Sequence, residues 1–330
     1  MELIRKPNQI FLCLVAVVII YSQELVAKKE SFAQWKKSYA KRASKRGLPK
    51  KFVLKLLKPV KLNKKVISLD KNQVLSNSKV SYKKFIKRWL RKEDGRAKRG
   101  LKEIEENRAL LEKVERKYGV EKEVIVSLWG TETFYGDITG NYNLVESLSS
   151  LAYDGRRRTF FETQLNSVLR LIKKGHATQD DLKGSWAGAT GQCQFMPSNI
   201  WAYAQDFNGD GKIDIWNTKA DIFASIANFL KNAGWKKRSS IGSLVIPPDR
   251  KVRNLNIYRS PAQYNKLGFK KLNGSTISNV NWRKRKVAVI PLSDSPYVLR
   301  GGNYKAIIKW NNSSLFAAFN ILLMDYFHNH

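Results

Sequence analysis

Apolar residues recur at helical spacing along most of this chain. Between Val124 and Gly136, residues Val124, Leu128 and Glu132 fall at i, i+4 and i+8 and share one helix face. Ile125 and Trp129 widen that face into an apolar stripe, and Gly136 offers a stop. Upstream, Phe32, Trp35, Tyr39, Phe52, Leu54 and Leu57 predict short helices joined by Gly47–Pro49, with a loop near Pro59. The stretch 66–74 reads as including a short extended segment, and 81–117 as a long helical pattern with solvated Glu/Lys faces. Downstream, a turn-rich loop covers 137–143, and helices are expected at 144–151, at 160–172, from Pro197-Ser198 onward and at 222–230. Between 239 and 299 the pattern changes. Short apolar runs, Leu244–Ile246 and Val287–Ile290, alternate with Pro, Gly and Asn, which predicts a small β-rich insertion. The segment from Tyr304 leads into a C-terminal helix through Phe316 and Leu322. The fold class is therefore mainly α (α+β), without internal repeats.

A run of eleven apolar residues, Ile10 to Ile20, follows Arg5 and Lys6. This is the layout of a secretory signal, and the run is short for a membrane span. An uncleaved anchor is the alternative. Removal of residues 1–27 would leave Cys193 as the only thiol, so no internal disulfide can form and stability must come from the core. The rest divides into an N-terminal helical region (28–117), a core with a calcium-type loop (118–238), the β-rich insertion (239–303) and a C-terminal segment packing back on the core (304–330). The formal net charge of +34 predicts attraction to a polyanion: nucleic acid, an anionic envelope surface or an acidic cell-wall polymer. An export signal and the absence of a recognisable reader motif argue against nucleic acid.

Three stretches carry candidate chemistry. Glu132 ends a stripe that otherwise points into protein. A carboxylate there is costly unless paired or protonated, and desolvation raises its pKa toward the range of a general acid. Residues 184–198, Gly-Ser-Trp-Ala-Gly-Ala-Thr-Gly-Gln-Cys-Gln-Phe-Met-Pro-Ser, combine turn-forming glycines with hydrogen-bonding Ser185, Gln192, Gln194 and Ser198 and the flat faces of Trp186 and Phe195. That mixture suits a carbohydrate, whose hydroxyls need partners and whose CH faces need aromatic surface. Residues 206–217 match an EF-hand loop: Asp206, Asn208 and Asp210 at positions one, three and five, Gly211 at six, the Lys212 carbonyl at seven and Asp214 at nine. Position twelve is Asn217 instead of Glu, which weakens the site, and Asp221 is a candidate for the missing carboxylate. A single loop of this kind suits a structural Ca2+, not a catalytic one. Three adjacent arginines, Arg156 to Arg158, precede a helix, where positive charge is unfavourable. An anionic ligand or salt bridges to acids such as Glu146 would each explain them.

Taken in order, these motifs resemble the lytic murein transglycosylase B family of periplasmic enzymes. The carrying residues are Leu128-Trp-Gly-Thr-Glu132-Thr-Phe-Tyr-Gly136, Arg156-Arg157 before Phe160-Phe161, Gly184 to Gly191, Gln194-Phe-Met-Pro-Ser198, Tyr203 to Gly211, and Trp310-Asn311-Asn-Ser313. The resemblance implies a lysozyme-like catalytic core and cleavage of the MurNAc–GlcNAc bond with a 1,6-anhydromuramoyl product. It places Glu132 as the single acid/base, and Ser185, Gln194, Phe195, Trp310 and Asn311 in the sugar cleft. Arg156 and Arg157 would face the muropeptide carboxylates. Departures from the family pattern are Thr190, Phe134, Asn217 and Trp310, where Tyr is frequent. The expected partner is peptidoglycan glycan strands, with association to anionic envelope surfaces, a monomeric state, no nucleic acid and no organic cofactor. The competing readings are a muramidase, for which Asp137 or Asp154 would be the second carboxylate, and a basic, non-catalytic peptidoglycan-binding protein.

Overall fold

The computed structural model describes residues 30–330 apart from 77–80, 91–94, 249–254, 256, 278–285 and 294. The leader-like segment and Cys13 lie outside the described residues. The described chain runs α1 (Phe32–Ser44), α2 (Lys50–Leu57), α3 (Lys64–Ser76), α4 (Tyr82–Leu90), α5 (Gly95–Glu106), α6 (Arg108–Tyr118), α7 (Lys122–Thr133), β1 (Tyr142–Asn143), α8 (Leu144–Asp154), α9 (Arg158–Lys174), β2 (Lys183–Gly184), α10 (Pro197–Tyr203), α11 (Lys219–Ala233), β3 (Gly242–Ile246), α12 (Pro261–Lys266), β4 (Lys270–Lys271), β5 (Val289–Pro291), β6 (Tyr297–Arg300), α13 (Tyr304–Trp310) and α14 (Ser314–Asn329). None of these helices is long and apolar enough to cross a membrane.

Local chemistry sets several boundaries. Ser31 and Gln34 form a capping box that starts α1. Pro197 takes the first turn of α10, where its missing N–H costs nothing. The stretch 66–74 is helical, not extended: Val66 is buried and α3 packs on α8. The pattern over 81–117 resolves into α4, α5 and α6, the last two separated at Asn107 by a non-helical backbone. Glu132's helix stops before Gly136. Phe134 caps it in the left-handed region at φ 52°. The next ring, Tyr135, folds under the helix against Trp129, at 5.3 Å between centroids, and its hydroxyl donates to the Arg96 carbonyl at 2.7 Å.

Helix α7 is buried nearly all round, from Val124 through Thr131 and again at Thr133. The single stripe expected from sequence is thus too narrow. Helix α14 covers the remaining side, and its buried Asn320 accepts from the hydroxyls of Ser127 (2.6 Å) and Thr131 (3.1 Å). A polar pair buried this way is satisfied and fixes the register of the two helices.

The insertion is a four-stranded antiparallel sheet in the order β4-β3-β6-β5. Leu244 pairs with Val298, and both join the main hydrophobic core. Val245 and Leu299 point the other way, into a second cluster with Tyr264, Phe269 and Val289. The sheet therefore packs on the helical body with one face and builds its own small core with the other. That arrangement carries the chain back to α13 and brings Trp310 to Glu132.

Candidate active site

Glu132 lies in the last turn of α7, partly open to a cavity of about 390 Å³. Ser185, Gln194, Phe195, Trp310 and Asn311 line the same cavity. Five cleft residues expected from separate stretches of sequence thus meet at one acid. The Trp310 indole N–H donates to Glu132 Oε1 at 2.7 Å. Its ring is held by Phe195 and Phe229, at centroid distances of 5.3 and 4.8 Å.

Burial pushes the Glu132 carboxyl up to about 7, and the Trp310 hydrogen bond opposes that rise. An indole nitrogen only donates, so Oε1 is the acceptor here and Oε2 is the oxygen left outside this contact. The site therefore holds a carboxyl that gives up or takes a proton near neutral pH. Among the described residues lining the cavity it is the only acid. Asp137 lies elsewhere, ion-paired with Arg99, which holds its carboxyl below the usual range. Asp154 pairs with Lys71 at 3.4 Å. Neither lines the cavity.

The 184–198 loop is fixed by its own backbone. Ser185 N–H donates to the Ala189 carbonyl at 2.7 Å, and Ser185 Oγ accepts from Ala189 N–H at 3.0 Å. A Cβ on Gly184 would stand 2.1 Å from the Ala189 carbonyl oxygen. Gly184→Ala is expected to destabilise the fold by about 1–3 kcal/mol and to lower turnover at least about tenfold, because the clash is with backbone beside the cavity. Thermal melts and muropeptide-release rates check this; wild-type values for both would contradict it.

Gln194 adopts φ 48°, uncommon for a residue with a side chain. Its amide donates to the Thr139 and Gly191 carbonyls, both at 3.0 Å. The Gln194 side chain lines the cavity. Gln192 has a different task. It accepts from Trp129 Nε1 and donates to the Trp216 carbonyl, both at 2.7 Å, and so ties α7 to the glycine-rich loop. Met196, Asn199 and Phe229 also line the cavity, although sequence reading did not place them there. Phe229 follows the same spacing as its core neighbours in α11, so periodicity carries no sign of its role.

Arg156 and Arg157 do not line this cavity. Both reach Asp70 of α3, with Arg156 Nε at 2.8 Å from the carboxylate. Asp70, not Glu146, is thus their acid; Glu146 accepts from Asn63 instead. Each of these arginine side chains is still over a third exposed, although Arg157 Nε is buried.

The 206–217 loop is closed by its own N–H groups. Asp206 accepts from Gly209 and Gly211, both at 2.8 Å, and Asp210 accepts from Lys212 at 2.8 Å. Asp221 is buried behind the loop and accepts from Phe207 (2.8 Å) and Asp214 (2.9 Å), so it braces the turn. Among the described residues, no three acidic, His or Cys side chains gather closely enough to hold a metal. The donors are nonetheless all hard oxygens, which is calcium chemistry.

The family described as Transglycosylase SLT domain matches residues 31–324. Over 125 residues the chain is 38% identical to membrane-bound lytic murein transglycosylase B of Escherichia coli K12, a stretch covering 38% of this chain and 34% of that protein. The match thus spans about a third of the length of that curated relative. SltB3 from Pseudomonas aeruginosa, solved in complex with NAG-NAM-pentapeptide, is similar at a TM-score of 0.82 and 31% identity, over 91% of this chain and 80% of that one. Slt35 from Escherichia coli, solved in complex with calcium, gives 0.74 at 24% identity over 90% and 93%, a likeness of fold. The mainly α class with a lysozyme-like helical core, expected from the sequence, is the fold these proteins share.

Proposed function

This chain belongs to the Transglycosylase SLT domain family, and from that premise we propose that it is a lytic transglycosylase of peptidoglycan with Glu132 as its acid and base. The observation that supports this reading is one carboxyl, raised to about 7, as the sole acid among the described residues lining a cavity that also presents Ser185, Gln194, Phe195, Trp310 and Asn311.

Glu132 donates its carboxyl proton to the oxygen that bridges MurNAc C1 and GlcNAc C4. The C1–O bond breaks, its electron pair leaves with the GlcNAc oxygen, and positive charge develops at C1. The new Glu132 carboxylate takes the proton of the muramoyl C6 hydroxyl, whose oxygen bonds to C1. Glu132 is protonated again, and no water is consumed. The nucleophile belongs to the substrate, so its effective concentration is high and no second carboxylate is needed to activate water. Ser185, Gln194 and Asn311 supply polar contacts, and Phe195 and Trp310 supply aromatic faces. Arg156 and Arg157 retain donors beyond those bound to Asp70, and we assign these to muropeptide carboxylates. The chain acts as a monomer in the periplasm, exported by the segment before residue 28.

Digestion of purified sacculi followed by mass spectrometry tests the reading. Muropeptides lighter by one water, with anhydro ends, are expected. Reducing muramic ends would make the protein a muramidase. Negligible release, with both wild type and Glu132→Gln pelleting with sacculi, would make it a non-catalytic binder.

Calcium, where bound, would be held by Asp206, Asn208, Asp210, Asp214 and the Lys212 carbonyl, and would stabilise the turn next to the Asp221 brace. Binding to the native state alone raises stability. A midpoint about 2–4 °C higher in millimolar calcium than in chelator is expected for a domain of this size. An unchanged melt would show that the loop is complete without the ion.

A further inference from the structure

No Asp or Glu occurs between Ser31 and Leu69, a stretch that holds α1, α2 and the start of α3. A shallow groove runs between α1 and α2. Its floor includes half-buried Leu54 and exposed Ala33, and its rim carries Lys37, Lys51, Lys55 and Lys58. These four lysines are exposed and meet no acid among the described residues. Lys36 is different: its ammonium donates to the Leu57 and Val60 carbonyls at 3.0 and 2.9 Å and closes the end of α2. The charge on the rim is thus not used by the fold. Four unpaired cations around apolar carbon fit an amphiphile that pairs a phosphate with a hydrocarbon body.

We propose that the α1–α2 face docks on a bilayer surface containing anionic phospholipid. An acidic glycan polymer would satisfy the lysines but has no use for the apolar strip of Leu54, Ala33 and the lysine stems between them. The proposal is independent of the catalytic reading.

The test uses the chain from Lys28 onward, which contains both hydrophobic clusters, in co-sedimentation with phosphatidylglycerol/phosphatidylcholine vesicles and with pure phosphatidylcholine. One variant carries Lys37→Gln, Lys51→Gln, Lys55→Gln and Lys58→Gln. A charge-matched control carries Lys113→Gln, Lys266→Gln, Lys270→Gln and Lys305→Gln, all at exposed positions. Wild type and control should bind the anionic vesicles, and the groove variant should bind at least about tenfold more weakly, since each juxtamembrane lysine contributes roughly fivefold. All three should ignore pure phosphatidylcholine, melt alike and digest free sacculi at one rate. Equal losses in the two variants would show that net charge, not the groove, binds. No binding of wild type to anionic vesicles would overturn the proposal. A matching loss of sacculus binding in the groove variant would also overturn it, in favour of a wall polymer.

Discussion

Glu132→Gln is expected to reduce muropeptide release by about 10³-fold or more, since both proton transfers pass through this side chain and each such contribution is worth roughly 10²–10⁴. The same substitution should stabilise the protein. The folded carboxyl titrates near 7, well above the ordinary 4.5, so folding disfavours its charged form. Its contribution to stability is intact below about pH 4.5 and is lost as pH rises through 7. Gln carries no charge to bury. The variant should therefore melt a few degrees above wild type at pH 8, with the gap closing by pH 4.5. An inactive variant that melts lower at pH 8 would point to lost packing in place of lost chemistry.

Trp310→Phe is the second large effect. It keeps an aromatic ring against Phe195 and Phe229 but removes the donor to Glu132 Oε1. That donor lowers the Glu132 pKa against the pull of burial. Without it the pKa rises, and the alkaline limb of kcat/KM should move up by roughly half a unit to one unit. kcat should fall about tenfold or more, because the carboxyl loses the contact that fixes its orientation. Trp310→Tyr, which can still donate, should recover most of kcat. A wild-type pH profile in Trp310→Phe would mean that the indole only packs.

Much of this was legible in the sequence, for identifiable physical reasons. Val124, Leu128 and Glu132 at four-residue spacing put an acid on an apolar face, and the folded chain buries that face. The glycine-rich stretch ending at Gln194 announced a tight loop, and Gly184 cannot carry a Cβ. The short apolar runs of the insertion became β3 and β5. What escaped depends on contacts distant in sequence. Helix α7 is covered on its far side by α14, almost two hundred residues later, so one stripe understated its burial. Its end is set by Tyr135 turning under Gly130 and Trp129, not by the glycine that follows. Asp70, within the segment read as partly extended, turned out to be the acid beneath Arg156 and Arg157. Nor does spacing reveal that Gln192 braces the loop while Gln194, two residues on, faces the cavity.

If the Glu132 carboxyl serves both steps and water serves neither, digestion of sacculi in 18O-labelled water yields soluble muropeptides with no label at the muramoyl C1 position and with anhydro ends. One 18O per product, at a reducing muramoyl end, would contradict that role.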